Sequence, residues 1–413
     1  MSSDWYSGKL GEVIELKRGY DLPQSKRKKG NVPLVSSSGV SDSHDTSMVK
    51  GPGVVTGRYG TIGKVFYIES DFWPLNTTLY VRDFKGNDPK FIHYFLKTLD
   101  FLAYSDKAAV PGVNRNHLHE AAVHLPAVVE QRAIAGFLGT IDDRISLLRE
   151  TNATLEAIAQ ALFKSWFVDF DPVRAKAEGF EPEGMDAATA ALFPDSFEEP
   201  ELGLVPVGWR TLLLEHAYEI NPSRKLKKGC VAPYLDMANV STQGHVVSNV
   251  VEREIGSGAK FINGDTLLAR ITPCLENGKT AFVDFLLLDQ VGWGSTEFLV
   301  LRPKAPLPVY HGYLLARHSA FRECAVQSMS GTSGRQRVQN DVLGRYPVVI
   351  PTKEVADAFE AIVSSIQQKI TANQDQVKTL TQLRDTLLPR LISGKLRLPI
   401  MEDAIETTLS EIL

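Results

Sequence analysis

The sequence predicts an α+β protein in which a mixed α/β unit followed by a long helix occurs twice. Two observations predict this arrangement. Two long stretches repeat one spacing of apolar residues at an offset of 225 residues, from Ile134 to Phe359. The segments ahead of these stretches also repeat the same order of short apolar runs. A fixed offset without insertions favours an internal duplication over two unrelated core helices.

The repeated stretches are predicted to be amphipathic helices at 126–170 and 351–395. Their apolar residues step by 3 or 4, which places them on one helix face. Pro126 and Pro351 mark the two helix starts. About 40 residues correspond to roughly 60 Å of helix, and so long a helix with one narrow apolar stripe usually packs against another helix. The predicted seam comprises Ile134, Phe137, Ile141, Ile145, Leu148, Asn152, Leu155, Ile158 and Leu162 in the first helix, and Phe359, Ile362, Ile366, Ile370, Asn373, Val377, Leu380, Leu383 and Leu387 in the second.

The two globular units are predicted at 1–125 and 201–350. β-Branched and aromatic runs separated by glycine-rich turns predict their strands. An acidic, proline-containing connector at 171–200 and a tail at 396–413 complete the chain. Three runs of the second unit parallel three of the first: Asp265–Arg270 with Gly53–Arg58, Gly278–Val283 with Gly63–Ile68, and Ser295–Val300 with Asn76–Val81.

Composition favours a globular protein of a reducing compartment. The 413 residues are 43% hydrophobic and 23% charged, which is typical of soluble domains. No run is long enough to span a bilayer, so no membrane contact is predicted. Three widely separated cysteines, Cys230, Cys274 and Cys324, argue against a disulfide framework and a zinc site. A cytoplasmic location is expected.

Charge is distributed unevenly along the chain. The net charge is −4, but residues 1–125 carry 16 basic and 13 acidic side chains, and residues 201–350 carry the same numbers. The helical segments 126–200 and 351–413 hold the acidic excess. Two mildly basic units are compatible with nucleic-acid binding, although an excess of this size is a weak indication by itself.

Motifs for catalysis and for phosphate binding are not found. Gly63-Lys64 and Gly278-Lys279 do not complete a phosphate-binding loop, because Arg58 and Pro273 stand where that pattern needs its first glycine. No Asn/Asp-Pro-Pro-aromatic motif for methylating an amine and no dinucleotide fingerprint occur. The sequence therefore predicts a binding protein with no catalytic residue, no metal and no cofactor of its own.

Two loops ahead of the helices suit contact with DNA. Residues 328–337, SMSGTSGRQR, and their counterpart 111–116 combine small residues with Arg, Asn and Gln. These longer side chains match the hydrogen-bonding pattern of bases in the major groove, although a plain surface loop is an alternative for any one of them. The basic run at 26–29 is compatible with either a solvated loop or phosphate contact.

Two runs resemble a known family. LEAIAQALFKSWFVDFDPVRAKAEG, from Leu155, and LTQLRDTLLPRLISGKLRL, from Leu380, resemble the conserved helices of specificity subunits of type I restriction–modification systems. Leu125-Pro126 followed by Glu130-Gln131-Arg132 is similar to that family's domain-to-helix junction. The resemblance covers nearly the whole chain. At the second junction, Val355-Ala356-Asp357 replaces the Glu-Gln-Arg trio, so the halves are not strictly equivalent.

The resemblance implies a non-catalytic DNA reader. The units at 1–125 and 201–350 would be target-recognition domains, each binding one half of a bipartite, asymmetric DNA site. The spacer helices would form an antiparallel coiled coil that sets the gap between the halves. Two adenine methyltransferase subunits, which carry S-adenosylmethionine, and two restriction subunits, which use ATP and Mg, would dock on this chain.

The resemblance also directs the choice of candidate DNA contacts. Candidates for phosphate contact, which position DNA without specifying its sequence, are Lys26, Arg27, Lys28, Arg224 and Lys225. The remaining candidates are Arg58, Lys64, Asn114 and Arg115 in the first unit and Arg270, Lys279, Arg335, Gln336 and Arg337 in the second.

Two other functions are weighed against DNA recognition. A coiled-coil scaffold without a DNA role would lack two matched units that end in polar, basic loops. A self-sufficient modification enzyme would carry the missing catalytic motifs.

In the helix seam, Asn152 and Asn373 would lie near the midpoint of an antiparallel pair, where buried asparagines can determine register.

Overall fold

A computed structural model describes residues 5–105, 112–199, 203–227, 229–332 and 334–398. The chain divides into two compact units: unit 1 contains residues 1–146 and 378–413, and unit 2 contains residues 147–377. Each unit therefore includes one segment of each long helix. Among the described residues, no helix is both long and apolar enough to cross a membrane. Most of the predicted C-terminal tail lies outside the described residues.

Unit 1 is built on a four-stranded antiparallel sheet. Its strand order is β2-β8-β5-β6. A smaller, three-stranded sheet has the order β4-β3-β7, and its strands β3 and β7 are parallel. The elements are β1 (Tyr6–Lys9), α1 (Leu10–Val13), β2 (Glu15–Arg18), β3 (Val32–Ser36), β4 (Gly39–His44), β5 (Gly53–Gly57), β6 (Val65–Ile68), β7 (Trp73–Pro74), β8 (Thr78–Asp83), α2 (Pro89–Lys97), α3 (Arg115–His119), β9 (Ala122–Leu125) and α4 (Val128–Lys164). Strands β1 and β9 pair at the two ends of the globular part.

Unit 2 begins within α4, continues through the connector and then repeats this topology. A π-helical turn, Ser165–Asp169, follows α4. The next elements are α5 (Asp171–Ala177), α6 (Ala187–Ala191), β10 (Phe197–Glu198), β11 (Val205–Pro206), β12 (Arg210–Leu213), α7 (Leu214–Ala217), β13 (Tyr218–Ile220), β14 (Val231–Leu235), β15 (Val251–Glu254), β16 (Ala259–Phe261), β17 (Thr266–Ala269) and β18 (Thr280–Phe282). They are followed by β19 (Gly292–Gly294), β20 (Phe298–Pro303), α8 (Val309–Arg317), α9 (Ser319–Gln327), β21 (Met329–Ser330), β22 (Arg337–Val338), α10 (Asn340–Leu343), β23 (Pro347–Ile350) and α11 (Lys353–Ile392).

The sheets of the two units correspond strand by strand. The order β13-β20-β17-β18 matches β2-β8-β5-β6, and the parallel pair β14/β19 matches β3/β7. The pair β12/β23 joins the two ends of the globular part of unit 2, as the pair β1/β9 does in unit 1. The predicted α+β fold with an internal repeat is therefore confirmed.

One predicted correspondence is wrong by one residue. Strand pairing places Gly57 opposite Thr78 and Ala269 opposite Phe298, so Phe298 corresponds to Thr78 and Glu297 to Thr77. The sequence comparison had aligned Glu297 with Thr78. Runs of β-branched residues look alike at neighbouring offsets, whereas backbone hydrogen bonds define a single register. This shift determines which side chains are equivalent in the two units.

The end of β5 has a local reason to be glycine. A Cβ atom on Gly57 would lie 1.9 Å from the Thr61 carbonyl oxygen, so the tight β5–β6 connection excludes any side chain here.

Helix α2 then covers the sheet. Asp88 caps its first turn by accepting a 2.8 Å hydrogen bond from the Phe91 amide, and Pro89 occupies the first turn. Phe91, Ile92 and Phe95 are buried in the core of unit 1.

The long helices run antiparallel. In unit 1, Arg384 of α11 forms a 2.7 Å ion pair with Asp142 of α4. In unit 2, the Asn373 side-chain amide donates a 2.8 Å hydrogen bond to Asn152. A later residue of α4 thus contacts an earlier residue of α11. The predicted antiparallel direction is confirmed.

Most of the predicted seam faces inward. Of the eighteen seam residues, all but Ile158, Ile362 and Leu383 are buried or half-buried. The neighbouring residues Ala159 and Val363 are buried instead. A straight helix repeats every 3.6 residues, so the contact face drifts away from a pattern with strict steps of 3 and 4. The three exposed apolar side chains are therefore available on the outer faces of the helices.

The asparagine pair is predicted to determine the register of the helices. Asn373 is 1% exposed, and the Asn152 amide donates a second bond, of 3.2 Å, to the Ile370 carbonyl. Asn373→Leu alone leaves the half-buried side-chain oxygen of Asn152 without its donor and should cost about 1–3 kcal/mol of unfolding free energy. The double variant Asn152→Val/Asn373→Leu should recover this loss while permitting helix slippage. Thermal unfolding measures the first effect, and a second gap length in the bipartite DNA site that the resemblance implies would report the slippage. An unchanged gap in the double variant would contradict the assigned role.

Candidate nucleic-acid interface

In unit 1, three predicted DNA contacts line one cavity at the ends of the sheet strands. Arg58, Asn114 and Arg115 border a cleft of about 300 Å³, together with Arg18 and Tyr59. The backbone holds this arrangement, because the Arg58 amide donates to the Thr77 carbonyl at 2.9 Å and the Val113 amide donates to the Arg58 carbonyl at 3.0 Å. The sheet thus carries Arg58 and the loop ahead of α3 to a common edge.

Two cationic side chains in this cleft are available to an anionic ligand. The Arg58 guanidinium lies 4.6 Å from the centroid of the Tyr59 ring, a cation–π contact that orients it without neutralising it. Arg115 is exposed. Asn114 has a structural role as well, because its side-chain oxygen accepts a 3.0 Å hydrogen bond from the Asn116 amide and caps α3. Lys64, on the β5–β6 connection, is also exposed.

A second polar cavity adjoins this edge. It has a volume of about 470 Å³ and is lined by Arg27, Asn76, Thr77 and the serine-rich turn between β3 and β4. Arg27 forms a 3.0 Å ion pair with Asp42, and the ammonium of Lys28 lies 3.9 Å from Asp45, whereas Lys26 is exposed. Since Thr77 supplies the carbonyl that holds Arg58, the two cavities form one polar, cationic edge. We call this edge the unit 1 reading edge.

The unit 2 reading edge has the same backbone connections. The Arg270 amide donates to the Glu297 carbonyl at 2.9 Å, and the Val338 amide donates to the Arg270 carbonyl at 2.9 Å. The Arg270 side chain is half-buried and donates a 3.2 Å bond to the Val338 carbonyl. Gln336 lies beside it, where its backbone exchanges hydrogen bonds with Thr272. Arg335 and Lys225 are exposed.

Arg337 differs from the other candidates because it is held by a carboxylate. Its Nε and Nη2 atoms donate to Glu297 at 2.6–3.1 Å. These hydrogen bonds lower the pKa of the Glu297 carboxyl below its ordinary value, so the pair remains ionised near neutral pH. The Arg337 side chain is 45% exposed.

Two further candidates make structural contacts inside unit 2. The Lys279 ammonium donates a 2.7 Å hydrogen bond to the Met237 carbonyl. Arg224 lies 3.3 Å from Asp265, whose side chain is 0% exposed and also pairs with Arg302 at 2.7 Å. The structure therefore gathers Arg270, Gln336 and Arg337 at one edge, while Lys279 and Arg224 hold neighbouring segments together.

Sequence reasoning missed several residues of these edges. Arg18, Ser37 and Thr77 in unit 1 and Glu297 in unit 2 lie in strands or turns without a recognisable motif. The correct strand register would have identified Thr77 and Glu297, since both directly precede the strand that pairs with the arginine-terminated strand. Among the described residues, no group of three or more His, Cys, Asp or Glu side chains could hold a metal ion.

Comparisons with known proteins assign this fold to a class of DNA-sequence readers. Residues 2–157 match the family model described as the type I restriction modification DNA specificity domain. The HindI specificity subunit of Haemophilus influenzae is 24% identical over 388 residues, covering 81% of this chain and 84% of the relative. The MjaIX specificity subunit of Methanocaldococcus jannaschii is 23% identical over 436 residues, covering 95% and 94%.

A solved structure shares the fold. The crystal structure of the type I restriction–modification S subunit from M. genitalium superposes with a TM-score of 0.59 at 16% identity, covering 94% of this chain and 96% of that one. The resemblance carried by the two helices is confirmed, because the family model matches residues 2–157 and the chain is similar to specificity subunits of type I restriction–modification systems over most of its length. Its function is DNA sequence recognition.

Proposed function

We propose that this chain is a non-catalytic subunit that reads a bipartite, asymmetric DNA site, one half with each reading edge. The observation that carries the proposal is the repetition of one backbone arrangement with different side chains. Arg58 and Arg270 occupy equivalent positions, whereas Thr77 in unit 1 corresponds to Glu297 in unit 2. Equivalent backbones would approach DNA in the same way, while different side chains would select different bases.

The long helices are proposed to set the gap between the half-sites and to bind partner subunits. Five large apolar side chains of α4 and α11 are exposed: Val129, Leu147, Ile158, Ile362 and Leu383. Several exposed apolar side chains on the same two helices favour contact of these helices with other proteins. Two adenine methyltransferase subunits carrying S-adenosylmethionine would dock here, and restriction subunits that use ATP and Mg would complete the complex. A scaffold without a DNA role is less well supported, because it would not need two repeated cationic edges.

Methylation mapping tests the proposal. Co-expression of this chain with its modification subunit should produce adenine methylation throughout the host genome at a split motif, one half on each side of a gap of constant length. The modification subunit alone is the control and should leave these sites unmethylated. Methylation without this chain, or a continuous motif with it, would contradict the bipartite reading.

A further inference from the structure

We infer that Arg337 reads a guanine in the half-site of unit 2 and that Glu297 is the positioning residue that aims it. The inference rests on the proposed function, because it assigns a base to the DNA that the unit 2 reading edge would contact. The juxtaposition that carries it is the two-point contact between the Arg337 guanidinium and the Glu297 carboxylate at the strand ends.

The contact uses one particular side of the guanidinium. Nε donates to the two carboxylate oxygens at 2.9 and 3.1 Å, and Nη2 donates to one of them at 2.6 Å. A fork–fork pair of this kind restricts the torsion of a long side chain. Glu297 is itself held in place, since its side chain is 21% exposed and its backbone binds Arg270 on one side. Arg337 is therefore ordered before any ligand arrives.

The other side of the guanidinium is left open. Nη1 makes no hydrogen bond to any of the described residues, and one N–H of Nη2 points away from Glu297 in the planar group. Three N–H donors remain, and two of them, one on each terminal nitrogen, are parallel and match two adjacent acceptors. In the major groove only guanine presents two acceptors side by side, O6 and N7, whereas adenine pairs one acceptor with a donor. The pre-ordered fork therefore selects guanine.

Unit 1 lacks this device. The positions equivalent to Glu297 and Arg337 are Thr77 and Gly112, because Tyr59 bridges Gly112 as Ile271 bridges Arg337. A Cβ atom on Gly112 would lie 2.2 Å from the Tyr59 ring, so this position cannot carry an arginine without rearrangement. The inferred guanine thus belongs to one half-site only. This difference makes the half-site of unit 1 an internal control.

The test compares three variants in the co-expressed methyltransferase complex. Arg337→Lys keeps the charge but loses the planar fork, and Glu297→Gln keeps the size but loses the charged acceptor. The matched control is Arg345→Lys, an exposed arginine eight residues away that is not among the candidate DNA contacts. Methylation is measured on DNA carrying each of the four bases at every position of both half-sites, and thermal unfolding confirms that each variant is folded.

The wild type should require guanine at one position of the half-site read by unit 2. Arg337→Lys should reduce that preference by about tenfold to a hundredfold, and Glu297→Gln should reduce it at the same position. Base preference should be unchanged in Arg345→Lys, and the half-site of unit 1 should be unaffected in every variant.

Two results would overturn the inference while the proposed function stands. In the first, a split motif is found and neither Arg337→Lys nor Glu297→Gln changes any base preference. In the second, Glu297→Gln relaxes a cytosine requirement while Arg337→Lys changes nothing, which would make Glu297 the reader. Absence of a split motif in the wild type would instead contradict the proposed function itself.

Discussion

A seven-residue insertion in both long helices is expected to lengthen the gap of the recognised DNA site by about three base pairs. The insertions follow Thr154 in α4 and Thr371 in α11, facing positions of the antiparallel pair that leave the Asn152–Asn373 contact intact. Seven residues add two turns, or about 10 Å, and B-DNA rises about 3.4 Å per base pair. Both half-sites should keep their sequences, since neither reading edge is altered.

Methylation mapping gives the gap length directly. The control is the same insertion in α4 alone, which puts the two helices out of register and should abolish methylation or reduce it strongly. A changed half-site sequence in the doubly extended variant, or a gap of the original length, would contradict the role of the helices as a spacer.

Removing the Asp265 carboxylate is expected to produce the largest loss of stability in unit 2. Asp265 is 0% exposed, accepts bonds from Arg302 at 2.7 Å and from the Ile262 amide at 2.9 Å, and lies 3.3 Å from Arg224. Asp265→Ala would leave two partly buried guanidinium groups without a counter-charge. Breaking a buried ion pair in this way typically costs about 3–5 kcal/mol.

Thermal and denaturant unfolding measure this effect. Glu219→Ala on strand β13 of the same sheet is the control, because its exposed carboxylate should contribute less than about 0.5 kcal/mol. Asp265→Asn should lose less than the alanine variant, since the amide oxygen can still accept from Ile262. A loss no larger than that of Glu219→Ala would show that Arg224 and Arg302 do not depend on Asp265, and would return Arg224 to the candidates for phosphate contact.

The candidate contacts show where sequence reasoning was limited. Arg58, Arg270 and the loop at 111–116 were chosen from their positions at strand ends and ahead of helices, and the structure brings members of this set together in each unit. Lys279 is predicted from the run that parallels Gly63–Ile68 and Arg224 from a basic run, yet they bind the Met237 carbonyl and Asp265. A basic side chain next to a carboxylate or carbonyl of a distant segment looks the same in sequence as one that is available to DNA.

The sequence by itself determined the class of fold, the internal repeat and the resemblance to type I specificity subunits. These features depend on local periodicity and on runs of residues that are contiguous in the chain. Only the tertiary structure decided the register that makes Glu297 equivalent to Thr77, the pairing of Asn152 with Asn373, and the contact of Glu297 with Arg337. The physical reason is that each of these depends on hydrogen bonds between residues that are distant in the chain, whose geometry is set by the packing of the sheets and helices that carry them.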